Sequence, residues 1–463
     1  MGLFDVKSLS RGVNVEGEIP QGNEILKKTL RIAWPAVAES VLVFLVGMID
    51  MMMVGSLGKE AIAAVGLTTQ PKFIALCLFM SLNVAISAIV AHRRGQNDKE
   101  SAQRVLVQAL VIVVCLAAII SVLCIVFAGP ILKLAGTQAD THQLAASYFK
   151  IIMMGMIFQV IMLVINAAQR GAGNTKISMR TNIVANLTNV VLNYLLIGGN
   201  LGFPRLGIQG AAIATVVGII IGCGMSIFSV MSKKSFLTLR GVKRIIFDAE
   251  TMKSILSLGS STLTEQIFMR IGFLLYSRII ADLGTDSFAA HQIAINVLSL
   301  SFAFGDGLSG ASIALVGQSL GSKRRDLARI YTRATLRIGV LLTILIATFY
   351  FTAGHFMYSL YTDDAAVLSL CMKLLPISVA TVFFQVPQVI YGGCLRGAGD
   401  AKYMAFISMI NLAIVRPIIS WILCYPVGLG VIGAWIGLFV DQIMRMAFAT
   451  MRMRGDKWMS HRV

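Results

Sequence analysis

The chain of 463 residues is 57% hydrophobic, only 13% charged, and has a mean hydropathy of +0.79. Ordinary soluble domains are about 25% charged, so this composition excludes a water-soluble globular fold and indicates a membrane protein. The charges that remain are 40 Lys and Arg against 22 Asp and Glu, a formal net charge of +18, and their placement decides whether that excess marks nucleic-acid binding or membrane topology.

A membrane-spanning helix needs roughly 20 mostly apolar residues. In chain order such runs lie near 30–54, 62–91, 105–128, 147–169, 178–199 and 208–231, and again near 255–281, 288–317, 330–353, 366–394, 402–424 and 428–450. Barrel strands would alternate over about ten residues, whereas these runs are longer and continuously apolar, so twelve helices are predicted. Of the 40 basic residues, 31 fall in the N-terminus, alternate loops and C-terminal tail, against three (Lys59, Lys133, Arg205) in the other loops. The positive-inside rule then places both termini in the cytoplasm, with Lys233 to Arg244 and Lys323 to Arg337 in basic cytoplasmic loops. Lipid headgroups account for the whole excess and nucleic acid is not expected as a partner. Residues 1–25 are polar and resemble no secretory signal, so the first span is expected to direct insertion. The seven cysteines stand singly in apolar runs, without metal spacing, and read as packing residues.

Shifted by 226 residues, the chain matches itself without a gap over some 138 positions. Glu39 falls on Glu265, Leu57-Gly58 on Leu283-Gly284, and Phe158-Gln159-Val160 on Phe384-Gln385-Val386; Arg170 to Gly173 and Arg396 to Gly399 are the same Arg-Gly-Ala-Gly. Solenoid repeats run about 20–50 residues, so each copy is a whole bundle. The expected architecture is an all-α integral membrane protein with two pseudo-twofold-related six-helix bundles: an N-terminal lobe (1–231), a cytoplasmic basic linker (232–254) and a C-terminal lobe (255–463). Two related halves with a site between them suggest a transporter.

Ionisable groups inside spans are costly and therefore informative. Glu39 and Asp50 are eleven residues apart, on one face of the first span, with Asp50 expected to be the better buried. In the fifth span Asn182, Asn186, Asn189 and Asn193 form a polar stripe at spacings of four and three. Such a stripe serves either as interhelical glue or as a source of carbonyl oxygens for a cation. Thr215 adds a hydroxyl from the sixth span. In the second half Glu265 and Arg270 share the seventh span, Asp306 lies in the eighth, and Arg270 is expected to pair with Asp306 or Glu265. Asp441 and Arg445, one turn apart, read as a local pair near the cytoplasmic end, and Arg416-Pro417 as structural. His291-Gln292 opens the eighth span at the outer surface, a capping or headgroup-level position. Each Arg-Gly-Ala-Gly reads as a tight turn whose Arg faces headgroups.

Asp50-x-x-Met53-Val54-Gly55-x-Leu57-Gly58, Gln169-Arg170-Gly171-x-Gly173, Leu395-Arg396-Gly397-x-Gly399 and Ala289-Ala290-His291-Gln292, together and in order, resemble the multidrug and toxic compound extrusion (MATE) transporters over essentially the whole chain. The resemblance implies twelve helices in two lobes, a V-shaped cavity, and export of organic cations or other amphipaths in exchange for Na⁺ or H⁺. It implies that Asp50 belongs to the cation or proton site with Asn189, Asn193 and Thr215, an Asn here replacing the family's usual fifth-span Asp. It also implies acidic residues in the seventh and tenth spans of some members. Here Glu265 stands about one turn from the first of these positions and Gln385 occupies the second. Glu39, Gln159, Glu265, Arg270, Asp306 and Gln385 are the expected cavity residues.

The leading expectation is a multidrug antiporter of the plasma membrane in a prokaryotic cell, acting as a monomer on amphipathic, cationic substrates. No cofactor is expected besides the coupling ion, and no metal beyond Na⁺ at Asp50. The alternative is a flippase for lipid-linked precursors, which needs several cavity-facing Arg or Lys; within the spans Arg270 is the clearest such residue. A channel fits poorly, and an enzyme least, because no nucleophile stands beside a base and no metal or phosphate motif is present.

Overall fold

The computed structural model of the chain describes residues 4–137, 139–232, 235–239 and 248–460. Residues 233, 234 and 240–247, part of the predicted basic linker, lie outside the described residues. The helices are α1 (Val6–Leu9), α2 (Gly22–Gly55), α3 (Lys59–Gly95), α4 (Lys99–Val126), α5 (Ala128–Leu134), α6 (Ala139–Met154), α7 (Met156–Gly171), α8 (Thr175–Gly198), α9 (Gly207–Met231), α10 (Ala249–Ala281), α11 (Thr285–Gly321), α12 (Arg325–Ser359), α13 (Ala365–Gly397), α14 (Ala401–Ile410), α15 (Arg416–Cys424) and α16 (Gly430–Arg454). A π-helical turn, Asn411–Val415, joins α14 to α15. No strand occurs among the described residues.

Among the described residues, nine helical segments are long and apolar enough to cross a membrane, and α6 with α7, bent by 47° around Gly155, makes a tenth. The remaining two long helices, α8 and α10, fall short for reasons visible in their sequences. Helix α8 carries the asparagine stripe, and α10 carries Glu265, Arg270 and a Ser/Thr-rich first half. These are the spans whose polar groups need partners inside the protein. Twelve helices in two repeats of six result, the expected all-α membrane fold.

The chain forms two compact units, Ala38–Gly259, and Met1–Val37 with Ser260–Val463. Helix α2 is therefore divided after Val37 and α10 after Gly259, whereas the sequence-based division assigns the first span whole to the N-terminal lobe.

In the unit Ala38–Gly259, α9 lies close against α8 because Gly218 leaves no side chain between them. A Cβ there would stand 2.5 Å from the Ala185 carbonyl oxygen and 3.3 Å from Asn189 Cβ. Gly218→Leu is therefore expected to force the two helices apart and lower the thermal unfolding midpoint in detergent. Overpacking of this kind costs about 1–3 kcal/mol, and an unchanged midpoint would contradict the close approach. The Arg-Gly-Ala-Gly turns are realised alike in both units, with Gly173 at φ +85 and Gly399 at φ +86. Their amides bond to the Arg170 and Arg396 carbonyls at 2.9 and 3.0 Å. Asp98 caps α4 by accepting from the Ser101 amide at 3.0 Å, a bond that holds its carboxyl below the usual carboxylate range.

The chain preceding α2 is tied down within its own unit. Leu9 is fully buried. Arg333 donates to the Leu9 and Arg11 carbonyls, both at 2.8 Å, and Arg337 to the Ser8 carbonyl and hydroxyl at 3.1 and 2.9 Å. Arg324 donates to the Glu18 carbonyl at 2.9 Å, and the Glu16 carboxylate accepts the Arg325 amide at 2.7 Å. Several arginines of the 323–337 segment thus hold the N-terminal strap as well as contributing to the topological charge bias.

Candidate functional site around Asp50

Helices α2 and α8 carry complementary polar groups in register. Asn182 donates to Glu39 at 2.8 Å and Asn193 to Asp50 at 2.9 Å, in each case across 143 residues of chain. Glu39 and Asp50 are eleven residues apart, as are Asn182 and Asn193, so the two helices run parallel for about three turns. The asparagine stripe therefore serves two carboxylates rather than one site. At Asp50, the Asn189 amide satisfies both neighbours when its nitrogen donates to Oδ1 and Oδ2 at 2.7 and 3.0 Å. Its oxygen then accepts from the Thr215 amide and hydroxyl at 3.2 and 3.0 Å. Asn189 and Asn193 are buried, 5% and 1% exposed, and Thr215 is half-buried. Asn186, also in the stripe, has a buried amide nitrogen without a hydrogen-bond partner among the described residues.

Asp50 is half-buried while Glu39 is 8% exposed, which reverses the expected order of burial. The reason is charge compensation. Arg170, the first residue of Arg-Gly-Ala-Gly, turns inward and donates to Glu39 at 2.9 Å, to Ser178 at 2.9 Å and to Asn83 at 3.2 Å. Ser178 donates to the same Glu39 oxygen at 2.8 Å. A neutralised carboxylate tolerates full burial. Asp50, by contrast, has no Lys or Arg nitrogen within 4.0 Å among the described residues. Lys72 of α3 and Tyr148 of α6 lie within electrostatic range of it. Both were missed by sequence reasoning. Lys72 carried a usable signal, being an ionisable residue inside the predicted 62–91 span, whereas Tyr148 at the start of an apolar run carried none.

The second unit repeats the Glu39 arrangement. Arg396 donates to Glu265 at 2.7 and 3.3 Å, and Ser408, 143 residues beyond Glu265, donates to it at 3.4 Å. This corrects one expectation, since both Arg-Gly-Ala-Gly arginines reach buried carboxylates instead of headgroups, and it narrows another: of the two partners expected for Arg270, Glu265 takes its charge partner from α13. Among the other predicted cavity residues, Arg270 and Gln159 are half-buried and Asp306 is exposed. Gln385 is buried and accepts from Ser301 at 2.9 Å. The structure thus joins Asp50, Asn189, Asn193 and Thr215 into one site, and commits Glu39, Glu265 and Gln385 to bonds within their own units.

Further corrections concern the C-terminal unit. Asp441 lies mid-helix in α16 rather than near its end, and it binds Arg416 at 2.5 Å as well as Arg445 at 3.1 Å. His291 is 4% exposed and packs edge-on to Tyr276 and Trp435 with ring centroids 5.4 and 6.0 Å away, buried in the protein rather than capping the helix. Arg170, Arg396, Arg416 and Arg445 join Arg270 as basic side chains within the helical core, so Arg270 is not the single clear case.

A carboxylate held by two amides, one of them fixed in turn by a hydroxyl, with no guanidinium or ammonium nitrogen within 4.0 Å among the described residues, can take up a proton or a small hard cation. Comparison with known proteins bears on what such a site serves. A Thermotoga maritima protein named "Probable multidrug resistance protein NorM" is 26% identical, the match covering 97% of this chain and 96% of that one. A Rhizobium meliloti protein of the same name is 27% identical over 89% of each chain. A solved "multidrug resistance MATE family transporter of the MOP superfamily" superposes with a TM-score of 0.88 at 20% identity, covering 96% of this chain and all of that one. A MOP superfamily transporter from Pyrococcus furiosus gives 0.87, also at 20% identity. The MatE family profile matches residues 35–195 and 261–422, one match on each repeat. With both repeats matched over more than half of its length, the chain belongs to the MatE family, whose members are membrane transporters rather than enzymes.

Proposed function

We propose that this protein is a secondary active multidrug antiporter, exporting amphipathic, cationic compounds in exchange for Na⁺ or H⁺ that binds at Asp50. It works as a monomer in a prokaryotic cell membrane with both termini in the cytoplasm. The observation that carries this reading is the contrast among carboxylates. Glu39, Glu265 and Asp441 are each bonded to arginine, whereas Asp50 is held by Asn189 and Asn193 and keeps its charge available. An ion entering there changes the charge of the helix interior, which is what a two-state transporter needs to bias its equilibrium. The driving force suffices: one charge crossing 100 mV supplies about 2.3 kcal/mol, and a further unit of pH gradient about 1.4 kcal/mol. The names of the Thermotoga and Rhizobium relatives agree with drug export.

The test is transport in proteoliposomes containing the purified full-length chain, with sodium and proton gradients imposed separately. Efflux of a lipophilic cationic dye is expected to follow one of the two gradients and to stop when it is collapsed. Dye movement indifferent to both would remove the antiport reading. Movement of a pyrophosphate-linked lipid instead would favour the flippase.

A further inference from the structure

The 226-residue register gives the Asp50 site a counterpart within the other unit, and its chemistry is opposite. Position 276, the counterpart of Asp50, is a tyrosine. Its hydroxyl donates to the Ala434 carbonyl at 3.1 Å. Helices α8 and α9 bring Asn189, Asn193 and Thr215 to Asp50. The corresponding α15 and α16 bring Arg416 and Asp441 to the neighbourhood of Tyr276, whose ring centroid is 5.5 Å from the Arg416 guanidinium carbon.

We infer that this counterpart is a small-anion site, of halide size, built on Arg416 and Arg445. Arg416 and Arg445 converge on a single oxygen of Asp441, Oδ2, at 2.5 and 3.1 Å. Two guanidiniums against one carboxylate leave an excess positive charge where the Arg416 and Asp441 side chains are 2% and 0% exposed. Glu265 also acts electrostatically on Arg445, but its oxygens are taken by Arg396. The rings of Phe273 and Tyr276, each 5.5 Å from the Arg416 carbon, close off the other sides and offer no acceptor equal to an anion.

The donors left over point the same way. Among the described residues, Arg416 Nε and Nη1 and Arg445 Nε are buried and have no hydrogen-bond partner. Guanidinium nitrogens only donate, so an acceptor must meet them. Water supplies an acceptor but no charge, whereas an anion supplies both. Asp441 Oδ1 is likewise buried without a partner among the described residues, and its charge keeps an anion on the guanidinium side. Arg416 follows directly on the π-helical turn, a distortion that α8 lacks and that recurs at functional sites.

The experiment is thermal unfolding of the full-length protein in detergent, with sodium chloride or bromide compared against sodium gluconate at equal ionic strength. A saturable rise in midpoint of about 3 °C or more by 100 mM halide is expected. That rise should be lost in Arg445→Gln and at least halved in Arg445→Lys, which keeps the positive charge and removes the planar set of donors. It should persist in Asp50→Asn, so that failure here and failure of the antiport reading are separate results. Equal midpoints in halide and gluconate, or a halide response unchanged in Arg445→Gln, would overturn the site.

Discussion

Ion-driven efflux is expected to fall at least about tenfold in Asp50→Asn, an effect equivalent to about 1.4 kcal/mol of lost ion binding, with the amount of folded protein unchanged. Asparagine keeps the volume of the side chain and an oxygen for Asn193 to bond. It removes the one group at the site that changes charge. The dependence of dye export on external sodium or pH, measured in proteoliposomes, should flatten. The converse variant, Asn193→Asp, places a second carboxylate next to the first. With two carboxylates either the site binds a cation more tightly, or the pair shares a proton and one of them stays protonated at higher pH. Both outcomes shift the midpoint of the ion dependence, and both depend on residue 193 facing Asp50. An unshifted midpoint in Asn193→Asp together with intact coupling in Asp50→Asn would put the ion elsewhere.

Replacing Arg170 or Arg396 with Ala is expected to cost about 3–5 kcal/mol of stability, because each replacement leaves a buried glutamate with no guanidinium. The side chains of Glu39 and Glu265 are each 10% exposed, and those of the arginines 19% and 20%, so the lower end of that range applies. The double variant Glu39→Gln/Arg170→Met removes both charges at similar volume and should recover most of the loss. Thermal midpoints of the wild type, Glu39→Gln, Arg170→Met and the double variant give the coupling energy. Additive losses, with no recovery in the double variant, would show that the pair acts through separate contacts. The same experiment at Glu265 and Arg396 should give a similar coupling energy. The two sites differ in detail: the bond from Ser408 is longer than its Asn182 counterpart, at 3.4 against 2.8 Å, and Ser178, which also donates to Glu39, has Met404 as its counterpart.

Much of the Asp50 site was legible in the sequence because it is local to helical faces. The eleven-residue interval in the first span and its echo between Asn182 and Asn193 require only the helical repeat. What could not be read was the division of labour along that stripe. Asn182 turns to Glu39 because Arg170, 131 residues from Glu39 in the chain, already makes that carboxylate a point of attraction. A glycine-rich turn flanked by arginine looks the same in sequence whether the arginine meets lipid phosphate or a buried glutamate. His291 gave no sign of its packing for a related reason. Its burial follows from Tyr276 and Trp435, on two other helices, and no periodicity within α11 announces them. Lys72 shows the opposite case, a charged residue plain in an apolar run whose meaning emerged only when Asp50 was found near it.

The anchoring of residues 8–18 by Arg324, Arg333 and Arg337 has a consequence for biogenesis. The ribosome must make some 300 further residues before those three side chains exist. At about 5–20 residues per second, the opening segment waits tens of seconds for its permanent partners. Loop closure over such a separation is among the slowest kinds of contact to establish. The leading segment is thus joined to its partners late in synthesis, after most of the later helices have been translated. An affinity tag fused at that end would interfere with the final assembly step rather than with insertion.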